Sequence, residues 1–424
     1  MDAGMPVSNQ TQAEEMGELR VRIRSERADQ PVENAKVQVF DPDVPEKVLY
    51  ETQTDRNGIA PVLTLPAPPL TYSMEPRAEQ PYATYSIRIT KEAYDGQIIS
   101  GTQILPTVRA EQDVVLLPSI TEQGLNESIV IGPHTLFGDY PGKIPENEIK
   151  PVTESGEIVL SRVVIPEYVI VHDGSPSDST ASNYYVRYSD YIKNVASCEI
   201  YATWPESTIM ANVLAIMSFT LNRVYTEWYR NKGYSFTITS STAYDHKWIY
   251  GKSGYDTING VVDQLFSNYL SRPNIVQPIL TQYCDGRKVQ CESRGWMTQW
   301  GSKSLGDQNY SALEILRYYY GENMYINEAE EISGIPSSWP GVDLMVGSRG
   351  DKVRQMQNQL NQIATAYPLI PKIAEDGIFG EQTAEAVRVF QRIFDLPVSG
   401  VVDYPTWYKI SNVYVGVSKI AELM

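Results

Sequence analysis

The chain has 424 residues, 42% of them apolar, with a net charge of −17 and a pI near 4.7. That length allows two to four domains, and the apolar share supports packed cores rather than a disordered chain. The acidic balance excludes a nucleic-acid binder, which needs a basic footprint, and no apolar run approaches the ~20 residues of a membrane-spanning helix.

Residues 1–17 are polar and expected to be disordered, with neither the basic nor the apolar region of a secretion signal. From Glu18 the pattern becomes strand-like. LRVRI (19–23) and AKVQVF (35–40) alternate apolar and polar, and TDRNG (54–58) holds an Asn57-Gly58 turn. TYSIRIT (84–90) and EQDVVLLP (111–118) add strands, so 18–118 reads as a small β-sandwich. Residues 119–165 are polar, then rich in Pro and Gly, and read as a linker or as an extended segment lying on a neighbour.

The next stretch, 166–326, mixes helices and strands. Glu206 to Lys232 carries Ile209, Val213, Ile216, Met217, Leu221, Val224 and Trp228 at helical spacing, with Gly233 as a stop. FTITSSTAY (236–244) predicts a strand and a polar turn, and GVVDQLFSNYL (260–270) and SALEILRYYY (311–320) predict helices. A second linker is expected over 327–341. In 342–418, Val353, Met356, Leu360 and Ile363 make one apolar stripe, and Ala384, Val387, Phe390 and Phe394 another, with a third short helix near Trp407. The fold class is therefore multidomain α+β.

Cys198, Cys284 and Cys291 cannot form a disulfide framework; the Cys284–Cys291 spacing permits one bridge, but free thiols are the expectation. His134, His172 and His246 lack zinc-motif spacing, so no metal and no cofactor is expected. Tyr outnumbers Phe 29 to 8. This suits flat polar ligands such as sugars, and equally a Tyr-rich core edge.

The C-terminal run LMVGSRGDKVRQMQNQLN…DGIFGEQTAEAVRVFQRIFDLPVSGVVDYPTW resembles the three-helix peptidoglycan-binding domain over about 344–410. The resemblance implies a shallow glycan groove near Asp376, Gly377, Phe379 and Thr383, although Phe379 also suits a small core. Residues 190–224, SSTAYD (240–245) and GWMTQWGSKSLGDQNYSALEILRYYY (295–320) look like the stage II sporulation protein D family of lytic transglycosylases. The whole order is similar to the clostridial spore cortex-lytic enzymes. That resemblance implies a spore-stored zymogen that cleaves cortex peptidoglycan during germination. It also implies a subtilisin-like germination protease as activating partner and cleavage within about 119–130; the acidic charge and short apolar runs add the expectation of no nucleic-acid or membrane partner.

Lytic transglycosylases need one carboxylic acid, because the muramic acid's own 6-hydroxyl replaces the attacking water. The resemblance puts that acid at Glu206, at the head of the long helix. The residues alone also allow a Thr203-x-x-Glu206 capping box there, and a helix N-terminus favours carboxylate over acid. Register across the segment is off by one, which keeps Glu199 as the second candidate. By resemblance Ser241, Thr242, Tyr283, Trp296, Gln299 and Trp300 line the substrate path, with the two tryptophans equally suited to a core. An N-acetylmuramoyl-L-alanine amidase and a non-catalytic cortex-binding protein remain the alternative functions.

Overall fold

The computed structural model describes residues 15–418, apart from 27–29, 42–43, 45, 120–125, 151–159, 292–294, 330 and 334–338. The chain begins with β1 (Glu15–Ser25), β2 (Lys36–Phe40), β3 (Val48–Gln53), β4 (Leu63–Ala67), a short α1 (Thr71–Met74), β5 (Ala83–Thr90), β6 (Gly96–Ile104), β7 (Arg109–Leu116) and β8 (Asn126–Val130). In β1 the alternation seen in sequence becomes Leu19, Val21 and Ile23 inside and Arg22 and Arg24 at the margin. One sheet runs β3-β2-β5-β6-β8 and the other contains β7-β1-β4. Their inner faces share a core that includes Leu19, Ile23, Val37, Ile87 and Ile89, which is the expected sandwich. The first strand begins at Glu15, inside the stretch expected to be disordered; residues 1–14 lie outside the described residues.

The expected linker at 119–165 is not a free connector. Asn126–Val130 is a strand, parallel to β6, with Ile129 turned into the sandwich core. The rest of the expected cleavage region, 120–125, lies outside the described residues. Residues 131–150 then run as an irregular strap across the central unit. Its proline and glycine content denies it ladder partners, so side chains satisfy its backbone instead. Gln282 accepts from Glu146 N at 2.9 Å and donates to Ile144 O at 2.8 Å. Gln277 does the same at Lys150, at 2.6 and 3.2 Å.

The central unit comprises β9 (Val164–Ile165), β10 (Tyr168–His172), β11 (Asn183–Arg187), α2 (Tyr188–Glu199), α3 (Glu206–Tyr225), β12 (Ile238–Thr239), β13 (Gly254–Tyr255) and α4 (Asp256–Leu265). It continues through β14 (Asn268–Ser271), β15 (Tyr283–Cys284), β16 (Met297–Thr298), α5 (Gln299–Asp307), α6 (Ala312–Tyr320), β17 (Tyr325–Glu328) and β18 (Glu331–Ile332). Helix α3 is buried on nearly every side, against α2, α4, α5, α6 and β14. It ends seven residues before the expected Lys232; a 3₁₀ turn at Arg230–Lys232 and left-handed Gly233 (φ 84°) complete the stop. The two-residue β13 leaves this unit and adds to the sandwich, pairing antiparallel with β7 at Glu111 and Ala110. Part of the expected second linker is also strand, because β17 pairs with β14.

The C-terminal helices are α7 (Asp351–Ala366), α8 (Glu381–Ile393) and α9 (Tyr404–Ser418). Their stripes meet as expected, with Val353, Met356, Leu360, Val387, Phe390, Trp407 and Ile410 buried. Two glutamines, both 1% exposed or less, organise the connecting turns alike. Gln357 accepts from Gly377 N at 2.8 Å and donates to Ile378 O at 3.0 Å and Thr383 Oγ1 at 3.3 Å. Gln391 accepts from Gly400 N at 2.9 Å and donates to Val401 O at 2.9 Å and Thr406 Oγ1 at 3.2 Å. This internal repeat of Gln, Gly and Thr was present in the sequence and escaped the reading above. Asp395 joins the unit to the sandwich through ion pairs with Arg20 and, at 2.5 Å, Arg22.

Candidate functional site

Glu199 is the last residue of α2, and the backbone turns extended at Ile200 (φ −135°). This leaves a carboxylate at a helix end, 3% exposed, in the wall of a cleft of about 170 Å³. Oε1 accepts from the Lys247 backbone N–H at 2.9 Å. Oε2 accepts from Gln299 Nε2 at 3.1 Å and from Thr135 Oγ1 at 3.3 Å. Gln299 opens α5 and also donates to the Glu199 carbonyl at 2.9 Å, so one amide fixes both ends of the residue.

Tyr283, from β15, stands in the same wall, and its hydroxyl lies 2.7 Å from His246 Nδ1. Burial, with the Glu199 charge adding to it, pushes the Tyr283 phenol well above its ordinary range. Burial pulls His246 well below its own, so the imidazole is neutral. Thr242 completes the group, donating to Pro141 O at 3.0 Å. Four residues named from separate motifs, Glu199, Thr242, Tyr283 and Gln299, thus share one cleft.

The remaining candidates lie elsewhere. Glu206 is exposed at the head of α3 and does not line the cleft. No capping box forms either: Pro205 is the N-cap, and the Thr203 hydroxyl donates to Ser73 Oγ at 2.8 Å instead. The capping-box reading of Glu206 is corrected, and its side chain points to solvent from a first turn whose Thr208 and Ile209 face the core. Ser241 serves a turn, its carbonyl accepting from Asp245 N at 2.8 Å. Trp296 is half-buried away from the cleft. Trp300 packs on Trp204 at 5.0 Å and Tyr201 at 6.1 Å, which is the core reading. In the C-terminal turn Asp376 is exposed, while Gly377, Phe379 and Thr383 are buried. Phe379 fills the small core at 1% exposure, and Thr383 is engaged by Gln357. The Ile378 N–H holds the Asp376 carboxyl below its usual range, with Gln357 adding to it.

The expectation of free thiols at 284 and 291 is also corrected. Cys284 and Cys291 form a disulfide with Cα atoms 5.4 Å apart. Asp285 explains the tight return of the chain. Its carboxylate accepts from the N–H groups of Arg287, Lys288 and Val289 at 3.0, 3.0 and 2.8 Å, and Gly286 adopts φ 77°. Asp285 borders the cleft, but its oxygens are committed to that loop. Cys198 stays a buried thiol, pushed up to about 12 by burial.

The strap supplies what the sequence reading missed. Thr135, Asp139, Tyr140, Pro141 and Lys143 all line the cleft beside Glu199. The Lys143 ammonium donates to Asp245 O and lies 4.4 Å from the centre of the Tyr283 ring. Burial lowers its pKa, while the Glu199 and Asp245 charges oppose that shift. Below it, Arg223 is fully buried and bridges Asp245 at 2.7 Å and the strap's Glu146 at 2.5 Å. An arginine within the apolar stripe of a long helix was the available signal that acids converge there.

Residues 349–410 match the family described as "Putative peptidoglycan binding domain". This C-terminal domain carries association with the bacterial cell wall. No protein of curated function is matched. Among solved structures, a minor pilin of Streptococcus agalactiae aligns at 11% identity and a TM-score of 0.19, over 26% of this chain and 47% of that one. A 3-chlorocatechol 1,2-dioxygenase from Rhodococcus opacus aligns at 13% identity and a TM-score of 0.17, over 27% and 63%. The chain thus spans less than two thirds of either structure's length, and similarity this low carries no argument about fold or activity.

Proposed function

We propose that this chain is a peptidoglycan lytic transglycosylase of the spore cortex, held as a precursor, with Glu199 rather than Glu206 as its acid. The observation that carries the reading is the convergence of Glu199, Gln299, Tyr283 and Thr242 on one cleft. A peptidoglycan-binding domain on the same chain supplies the polymer.

The chemistry follows from the wall. Gln299 and the Lys247 N–H fix the carboxyl in one orientation, so a glycosidic oxygen entering the cleft meets an acid already held in place. Glu199 donates its proton to that oxygen as the bond to the muramic acid C1 breaks. The carboxylate left behind then takes the proton of the same sugar's 6-hydroxyl, which closes on C1 and leaves a 1,6-anhydro end. Asp285 is tied into its loop and is not placed to activate water, and Asp139, the other aspartate of the lining, is an exposed residue of the strap, which favours a single-acid route over hydrolysis by two carboxylates.

The strap accounts for a precursor. It walls the cleft with Lys143 and its neighbours, and it is continuous with the sandwich through β8. A subtilisin-like germination protease that cuts within about 119–130 would remove the sandwich and free the N-terminal end of the strap, which is then held only by its own contacts with the central unit. The test is product chemistry on cortex fragments after limited proteolysis. The reading expects 1,6-anhydro-muramic ends, lost in Glu199→Gln and kept in Glu206→Gln. Reducing ends alone, or activity retained in Glu199→Gln, would overturn it.

A further inference from the structure

A second cleft, of about 360 Å³, lies on a different part of the molecule, where the sandwich meets the central unit. Its central-unit wall is aromatic. Tyr184 stacks on Tyr250 with ring centres 4.8 Å apart and sits 5.3 Å from Trp248. Tyr185, next to Tyr184 on β11, is 74% exposed and borders the same opening. The facing wall, from the sandwich, sets the polar Gln97 and Asp113 among apolar Ile99, Val115 and Ile129. Gln97 is 6% exposed, and its amide is oriented by Val115 O at 3.2 Å and Glu127 Oε2 at 2.6 Å. Among the described residues, Asn259 of α4, on the central-unit side, leaves a buried Oδ1 without a donor.

The charges narrow the ligand. Arg24, Arg187 and Lys193 stand against Glu111, Asp113 and Asp190, and Lys252 is tied to Gln103 Oε1 at 2.7 Å. Opposite signs so interleaved leave little net field to draw in a polyanion or a polycation. Aromatic faces together with fixed amides suit a neutral polyhydroxylated ligand, whose ring C–H faces lie on tyrosine and whose hydroxyl and acetamido groups reach the polar side chains of the facing wall. The volume suits a short oligosaccharide rather than a monosaccharide or a folded partner.

We propose that this cleft is a second glycan site, binding a short stretch of N-acetylated wall polysaccharide between the sandwich and the central unit. The choice of polymer rests on the cell-wall reading above; the binding itself requires no cleavage. Because both units build the walls, the site exists only while they are joined by β13 and β7. It therefore anchors the intact chain to its substrate and is lost when the sandwich is removed.

The experiment uses the intact chain and chitotetraose, followed by titration and by hydrogen exchange. Binding should protect residues 183–187 and 248–254. Tyr185→Ala, at an exposed position, should weaken that component about tenfold. Asp376→Ala in the C-terminal turn and Glu199→Gln in the other cleft should leave it unchanged. Protection confined to residues 349–410 would overturn the proposal, as would full affinity in a Tyr185→Ala chain of native circular dichroism. Failure of the cleavage reading appears separately, as absent muropeptide release with this binding intact.

Discussion

The Lys143 ammonium lies 4.4 Å over the Tyr283 ring, inside the cleft that Glu199 borders. On the proposed reading, this strap cation beside the cleft opposes the positive charge that a sugar undergoing cleavage would develop. Lys143→Ala in the intact chain should raise muropeptide release from cortex fragments about tenfold or more. Turbidity loss without prior proteolysis checks this, and an unchanged rate would show that the strap blocks by its backbone alone.

Arg223 has no exposed side-chain surface and holds Asp245 and Glu146 together. Arg223→Met should destabilise the central unit by about 3–5 kcal/mol, because the fully buried Asp245 carboxylate then loses its ion-pair partner while Glu146 keeps only Lys150. Urea denaturation at pH 7 measures it. The loss should shrink as pH falls, when one of the acids takes up a proton.

Lys252 gives the junction of sandwich and central unit a pH dependence. Burial brings its pKa down to about 8 from an ordinary 10.5, and Cys198 opposes the shift weakly. Below pH 8 the amine is charged in both folded and unfolded chains, so its burial penalty is constant. Between pH 8 and 10.5 only the unfolded chain keeps the proton, so stability rises with pH. The rise is worth about 3 kcal/mol at most, with Lys150 of the strap, also lowered to about 8, adding in the same window. Denaturation midpoints at pH 7 and pH 9.5 should move apart less in Lys252→Met.

Gln357 and Gln391 are the paired organisers of the C-terminal domain. Gln357→Ala strands the Gly377 N–H and the Ile378 carbonyl, and Gln391→Ala strands the Gly400 N–H and the Val401 carbonyl. Each change should cost about 1–3 kcal/mol, read as lost protection of α7 or α8 in hydrogen exchange.

Reducing the Cys284–Cys291 bridge should loosen the loop whose Lys288 donates to Phe137 O and, at 3.2 Å, Gly138 O of the strap. The closed loop is short, so the stability loss should be modest, about 2 kcal/mol. Faster proteolysis within 131–150 after dithiothreitol treatment checks the connection.

Local periodicity and turn chemistry were enough to read the sandwich strands, the stripe of α3 and the three C-terminal helices, because each depends on neighbours within a few residues. The family resemblance, not periodicity, named Glu199, Thr242, Tyr283 and Gln299, and it ranked Glu206 first. A carboxylate at a helix head and one at a helix end look alike in one dimension. Only the packing of α2 against α5 and the 247 backbone buries the one and leaves the other in water. The strap was hardest to see, since Pro, Gly and charge describe a solvated linker as well as a segment held by Gln277, Gln282 and Arg223 from far along the chain. The sequence determined which segments are strand, helix and cell-wall module; tertiary structure alone decided which acid is dry, which cysteines meet and what fills the cleft, because those depend on contacts between residues many tens of positions apart.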